Sequence, residues 1–166
     1  MRNRITAIAL VLLGTATCGG GSGHSSRQAV LGDAFQSRAR AVCAAALAQK
    51  KARGAFPYPD FNPTKPDPSK LPGIAAFEAK TVTIYQTWLR EMQALGQPPT
   101  GRGLWGDVVG AVVSHTRIIV EQQAAAQRGD AQTFTKDYYD GNRAQDAMLR
   151  ASSAAGVPVC AAAAAA

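Results

Sequence analysis

Histidine is nearly missing from this 166-residue chain, which holds only two, and aromatic residues make up 7% of it. So few imidazoles leave little material for histidine-based acid–base chemistry. The three cysteines include no Cys-x-x-Cys pair, which excludes a thiolate zinc knuckle, a dithiol redox site and c-type haem attachment. No Glu-x-x-His pair is present, so the di-iron bundle motif is absent as well. The glycine-rich "TGRGLWG" at 100–106 lacks the Lys-Ser/Thr of a phosphate loop and follows no expected strand. It reads as an interhelical turn. Internal repeats are not apparent, and the apolar run at 5–13 is too short to cross a hydrocarbon core of roughly 30 Å as a helix.

What is present points to a thin-cored helical protein. Hydrophobic residues account for 46% of the chain, and much of that share is alanine, which favours helix and buries little area per residue. The formal charge is +7; setting aside Arg2 and Arg4 at the N-terminus leaves 16 basic against 11 acidic residues, or +5. Lys50, Lys51 and Arg53 form the one tight basic cluster, and they close an expected helix, where cations suit the negative end of the dipole. A solvated helix end is the reading of that cluster. No basic stripe with interleaved aromatics occurs, so no nucleic-acid partner is expected.

The first 32 residues read as targeting. Arg2 and Arg4 form a basic n-region, 5–13 an apolar h-region, and Gly14 to Thr17 a run of small residues before Cys18. "CGGGSGHSS" then supplies a flexible, polar tether over 18–32. In these residues the chain resembles a bacterial lipoprotein precursor, whose signal peptide, here 1–17, ends just before a cysteine that becomes the lipidated mature N-terminus. The resemblance implies a palmitate-type anchor on Cys18 and the outer face of a membrane. Thr15 and Thr17 stand where a lipobox usually carries an aliphatic residue and Gly or Ala. The competing reading is an ordinary signal-peptidase site after Ala16, which releases a soluble secreted protein.

Lipidation of Cys18 would consume the odd cysteine of an exported chain, leaving Cys43 and Cys160 as a pair. A structural disulfide between them closes a loop of more than a hundred residues, which stabilises a fold by about 4 to 5 kcal/mol on the chain-entropy account. In its organisation, with a signal, a CGGG tether, an early helix bearing a cysteine and a terminal "GVPVC", the chain also resembles small, cysteine-paired lipoproteins of high-GC Gram-positive bacteria. That likeness implies a location and no activity.

Beyond the tether, apolar spacing predicts an all-α, disulfide-closed bundle of about four helices within 33–160. Phe35, Ala39, Val42, Cys43, Ala46 and Leu47 recur at three and four residues after Asp33, a candidate N-cap, and Gly54 ends the element. A linker over 54–73 carries six prolines and is expected to be extended, with Phe56, Tyr58 and Phe61 laid against the bundle. The second helix spans about 74–95, with Trp88 among its core aromatics, and the third about 104–127, where valine doublets four residues apart outweigh their strand propensity. Asp130 caps the fourth, which runs to about 155. The Arg-Gly-Asp at 128–130 is explained by that helix boundary and not by adhesion. The alanine tail, 161–166, is expected to fray.

Candidate chemistry is sparse. His24 lies in the tether, and His115 on the third helix is expected to be a partly buried histidine with its hydrogen bonds satisfied. Asp137 and Asp140 share a helix face read as solvated. No catalytic residue, cofactor or metal ligand set is expected. The leading reading is a non-enzymatic envelope protein that binds a partner protein, a cell-wall component or a small apolar ligand. The alternative is an envelope enzyme or accessory, with His115, Asp107 and Glu121 as its candidates. A cavity lined by His115 with a carboxylate in hydrogen-bond reach would favour the alternative.

Overall fold

The computed structural model describes residues 30–165, so Cys18, the signal peptide and most of the tether lie outside the described residues. Within them the chain is an all-α bundle of five helices. These are α1 (Asp33–Arg53), α2 (Leu71–Ala94), α3 (Arg102–Gln127), α4 (Ala131–Ala154) and the short α5 (Pro158–Ala165). Each helix packs on its neighbours in sequence, and α5 packs back on α1, so the neighbours close a ring. Cys43 of α1 and Cys160 of α5 are disulfide-bonded at that closure, 117 residues apart in sequence.

The buried stripes follow a three-four spacing. On α1 they run Phe35, Ala39, Cys43, Ala46 and Lys50; on α3, Trp105, Val108, Val112, His115, Ile119, Gln122 and Ala126. The main cluster surrounds the disulfide and includes Trp88, Met92, Met148 and Val157, with the Phe35 ring edge-on to Trp105 at 5.1 Å. A smaller cluster joins Leu71, Ile74, Ala125, Ala126 and Phe134 to Phe56, Tyr58 and Phe61 of the proline-rich segment. That segment is therefore a strap on the bundle. Thr135 of α4 donates a 2.8 Å hydrogen bond to the Pro63 carbonyl, and Tyr58 lies where a Cβ on Gly73 would stand.

Several boundaries differ from expectation for local reasons. Gly32 holds the N-cap position of α1 and Asp33 begins the helix, where its carboxylate faces the positive end of the dipole. The strap ends earlier than residue 73: a 3₁₀ turn, Pro68–Lys70, leads into α2, and Pro72 sits in the first turn, where its missing N–H costs nothing. Arg102 and Gly103, expected in a turn, already belong to α3, which starts after Gly101 in a left-handed conformation (φ 70°). Asp130 caps α4 by accepting from the Thr133 amide at 3.0 Å.

The larger correction concerns the alanine tail. Residues 161–165 are helical, and Ala161, Ala163 and Ala164 are buried. Side chains without bulk let this turn press close to α1 and α4, and the Ala164 carbonyl accepts hydrogen bonds from Lys50 Nζ (3.0 Å) and the Tyr85 hydroxyl (3.2 Å). Tertiary contact holds what propensity alone would leave frayed.

Candidate functional site

The basic cluster at the end of α1 is only partly the solvated helix end it was expected to be. Lys51 is exposed, but Lys50 continues the stripe of Phe35, Ala39, Cys43 and Ala46 and is 4% exposed. Its ammonium donates to the Tyr85 hydroxyl (3.1 Å) and to the Ala164 carbonyl, and it stands 5.0 Å from the Tyr85 ring centre. Arg53, one turn on, donates to Thr81 Oγ1 at 2.7 Å and stacks over Phe77 at 4.3 Å.

These groups border a cavity of about 370 Å³ bounded by α1 to α5 and the strap. Its polar lining from α1 to α3 comprises Lys50, Arg53, Glu78, Thr81, Tyr85, His115 and Gln122, and Tyr138, Asn142 and Gln145 add to it from α4. Its apolar wall is aromatic: Phe56 meets Phe77 edge-on at 5.4 Å, and Phe61 meets Phe134 at 5.6 Å. Edge-to-face contacts of this kind hold the rings in place beyond what their buried area contributes. Gly141 of α4, four residues before Gln145, opens space on the fourth side.

Burial sets the protonation of the polar wall. It lowers Lys50 to about 8, with the Arg53 charge adding to the effect and Glu78 opposing it. It raises Glu78 to about 7 against the pull of Arg53 and Lys50, and raises the Tyr85 phenol. His115 is lowered to about 4, first by burial and then by the Lys50 charge, so the imidazole is neutral at physiological pH. Only 7% exposed, His115 packs edge-on to Tyr85 at 5.0 Å, and its Nδ1 is buried without a hydrogen-bond partner. The expected core histidine is thus buried but unsatisfied.

The other sequence candidates do not join it. Asp107 is exposed on α3, two turns before His115, and does not line the cavity. Glu121 is exposed and ion-paired with Arg117 at 2.7 Å. Asp140 holds Lys136 and Arg143 at the surface, but its face is not solvated throughout: Asp137 is 2% exposed and its Oδ2 has no hydrogen-bond partner. Lys50, Glu78 and Tyr85 were missed as site residues. The available signal was that Lys50 and Glu78 each interrupt an apolar stripe: Lys50 follows Ala46 by four, and Glu78 lies between Ile74 and Thr81.

No group of three or more His, Cys, Asp or Glu side chains among the described residues is placed to hold a metal ion. No helix among them is long and apolar enough to cross a membrane. Protein-family models, curated proteins and solved structures all fail to match the chain.

Proposed function

We propose that this protein is an exported lipoprotein, anchored through Cys18 to the outer face of the cytoplasmic membrane, whose bundle binds a small ligand without transforming it. The observation that carries the binding half is the cavity beneath the strap. It combines an aromatic wall with a few convergent polar groups, at a size within the roughly 300–1,000 Å³ range of small-molecule sites. The Cys43–Cys160 bond suits an oxidising compartment and gives modest support to export. The tether would then present the cavity at the membrane surface, to ligands or to a partner protein of the envelope or cell wall.

Binding is favoured over catalysis by how the polar groups are arranged. His115 and Glu78 share the cavity, yet among the described residues no carboxylate hydrogen-bonds to His115 to orient it as a base. An amine, a phenol and an imidazole held by neutral contacts form a recognition surface more readily than a proton relay.

Two measurements test the proposal. Intact mass of the mature chain from its native membranes should show a start at Cys18 with added acyl mass; an unacylated chain beginning at Thr17 removes the anchor. Fluorescence titration with the neutral apolar dye N-phenylnaphthylamine should show saturable binding that Asn142→Trp, at the exposed rim of α4, weakens. Absence of saturable binding removes the ligand site.

A further inference from the structure

The geometry points to a monocarboxylate with an apolar body as the ligand of this cavity, its two oxygens taken by Lys50 Nζ and His115 Nδ1. The inference rests on the cavity being a binding site, as proposed above.

Lys50 is the first ground. Its two hydrogen bonds go to a hydroxyl and a peptide carbonyl, its third contact is the face of a phenol ring, and it forms no ion pair among the described residues. An ammonium carries three donors, so one remains unused. A buried cation whose contacts are all neutral is costly to maintain, and an incoming anion relieves that cost. Glu78 acts on Lys50 through its field but is not within ion-pair distance of it.

His115 is the second and independent ground. Its buried Nδ1 lacks any partner, and its ring meets the same Tyr85 ring that Lys50 caps. Two polar side chains in contact with one phenol ring, both lining the same cavity, suit an acceptor with two oxygens. A neutral imidazole with its proton on Nδ1 donates to one oxygen while the ammonium donates to the other, a charge-assisted contact. An alcohol or an ester would leave the ammonium without a counter-ion.

The remaining walls restrict the class further. Besides Lys50 and His115, the charged and titratable groups lining the cavity are Arg53 from α1, Glu78 and Tyr85 from α2, Tyr58 from the strap and Tyr138 from α4, with none from α5 among the described residues. The Glu78 carboxyl on the same wall opposes a second negative charge, which favours a monoanion over a phosphate dianion. Phe56, Phe61, Phe77 and Phe134 line the space beyond, and what they accept is apolar, alkyl or aryl.

Calorimetric titration of the full mature chain, disulfide intact and near neutral pH, tests this with matched probes: 2-naphthoate against 2-naphthamide, and decanoate against decanol. At least one carboxylate should bind about tenfold or more tightly than its neutral partner, and Lys50→Met should abolish that preference while changing neutral-probe affinity by no more than about twofold. Which pair binds tells alkyl from aryl ligands. Equal affinity of carboxylate and neutral partner in the wild type, or a preference that survives Lys50→Met, overturns the inference while leaving the binding reading intact. No binding of any probe, with Asn142→Trp indistinguishable from wild type, removes both. Should Lys50→Met fail to fold, His115→Phe replaces it, with an expected loss of about fivefold in carboxylate affinity and an unchanged neutral affinity.

Discussion

Around the disulfide and around the cavity, the same three-four spacing builds two different interiors. Near Cys43 and Cys160 the stripes carry Phe35, Trp88, Met92, Trp105 and Val157, all buried against one another. A turn or two away on the same helices, the stripes carry Lys50, Thr81, His115 and Gln122, all buried, with the half-buried Glu78 beside them. The first region gains from every side chain it removes from water. The second buries Lys50 among neutral partners and the His115 Nδ1 with none, which is unfavourable unless something else occupies the space. A chain built only for stability has no reason to place both kinds of residue on one stripe. The contrast assigns folding to one region and recognition to the other.

Breaking the disulfide should have the largest effect. Cys160→Ser in oxidised protein is expected to lower stability by about 4 to 5 kcal/mol, read from the denaturant midpoint, with no further loss under strong reductant. Equal midpoints for wild type and variant would contradict a stabilising bond. Phe35→Ala, in the apolar region, should follow at about 3 to 5 kcal/mol, since it removes a buried ring and its contact with Trp105. Neither change should alter probe binding in variants that remain folded, which is how separation of the two regions is checked.

At the strap, Gly73→Ala should cost about 1 to 3 kcal/mol, because the added methyl meets the Tyr58 ring and pushes the strap away from α2. Unlike the first two changes, this one should alter dye affinity. A thermal shift without any change in binding would show that the strap's seating is irrelevant to the site.

The smallest and sharpest test uses pH. Glu78, raised to about 7 in the fold, loses stability for the protein as pH rises from the unfolded carboxylate value, near 4.5, to 7. His115, lowered to about 4 from 6.5, acts oppositely: the unfolded chain takes up the proton first, so stability falls as pH drops from 6.5 to 4. The two slopes offset one another in wild type across the window they share. Glu78→Gln should expose the histidine slope, with stability rising relative to wild type's own profile between pH 4 and 6.5, as read by chemical denaturation at each pH. Lys50→Met should be near neutral in stability, and should remove the gain that wild type shows as pH climbs from about 8 to 10.5, where the unfolded lysine still holds a proton.

Much of the fold is legible in the residues themselves. Apolar residues at three and four placed α1 to α4 closely, and Gly54, Gly96 and Gly129 with Asp130 marked their limits because only certain residues end or begin a helix without strain. The pairing of Cys43 with Cys160 followed from the cysteine count together with the reading of Cys18 as a lipid attachment site. The fate of the alanine tail did not follow, since a short alanine run has the same local propensity frayed or docked, and what holds it is Lys50 and Tyr85 on other helices. Lys50 illustrates the same limit. A lysine next to Lys51 and Arg53 resembles a solvated helix end, and its position on the buried stripe carries weight only once α5 covers it.

The sequence by itself determined where helices start and stop, which faces are apolar and which thiols pair, because these depend on residues close in the chain or on simple counting. Only the tertiary structure decided that Lys50, Glu78, Tyr85 and His115 meet at one aromatic-walled cavity. They come from three helices and share no local motif. Their altered protonation and the unpartnered Nδ1 arise from burial and from each other's charge, which exist only once the ring of helices has closed.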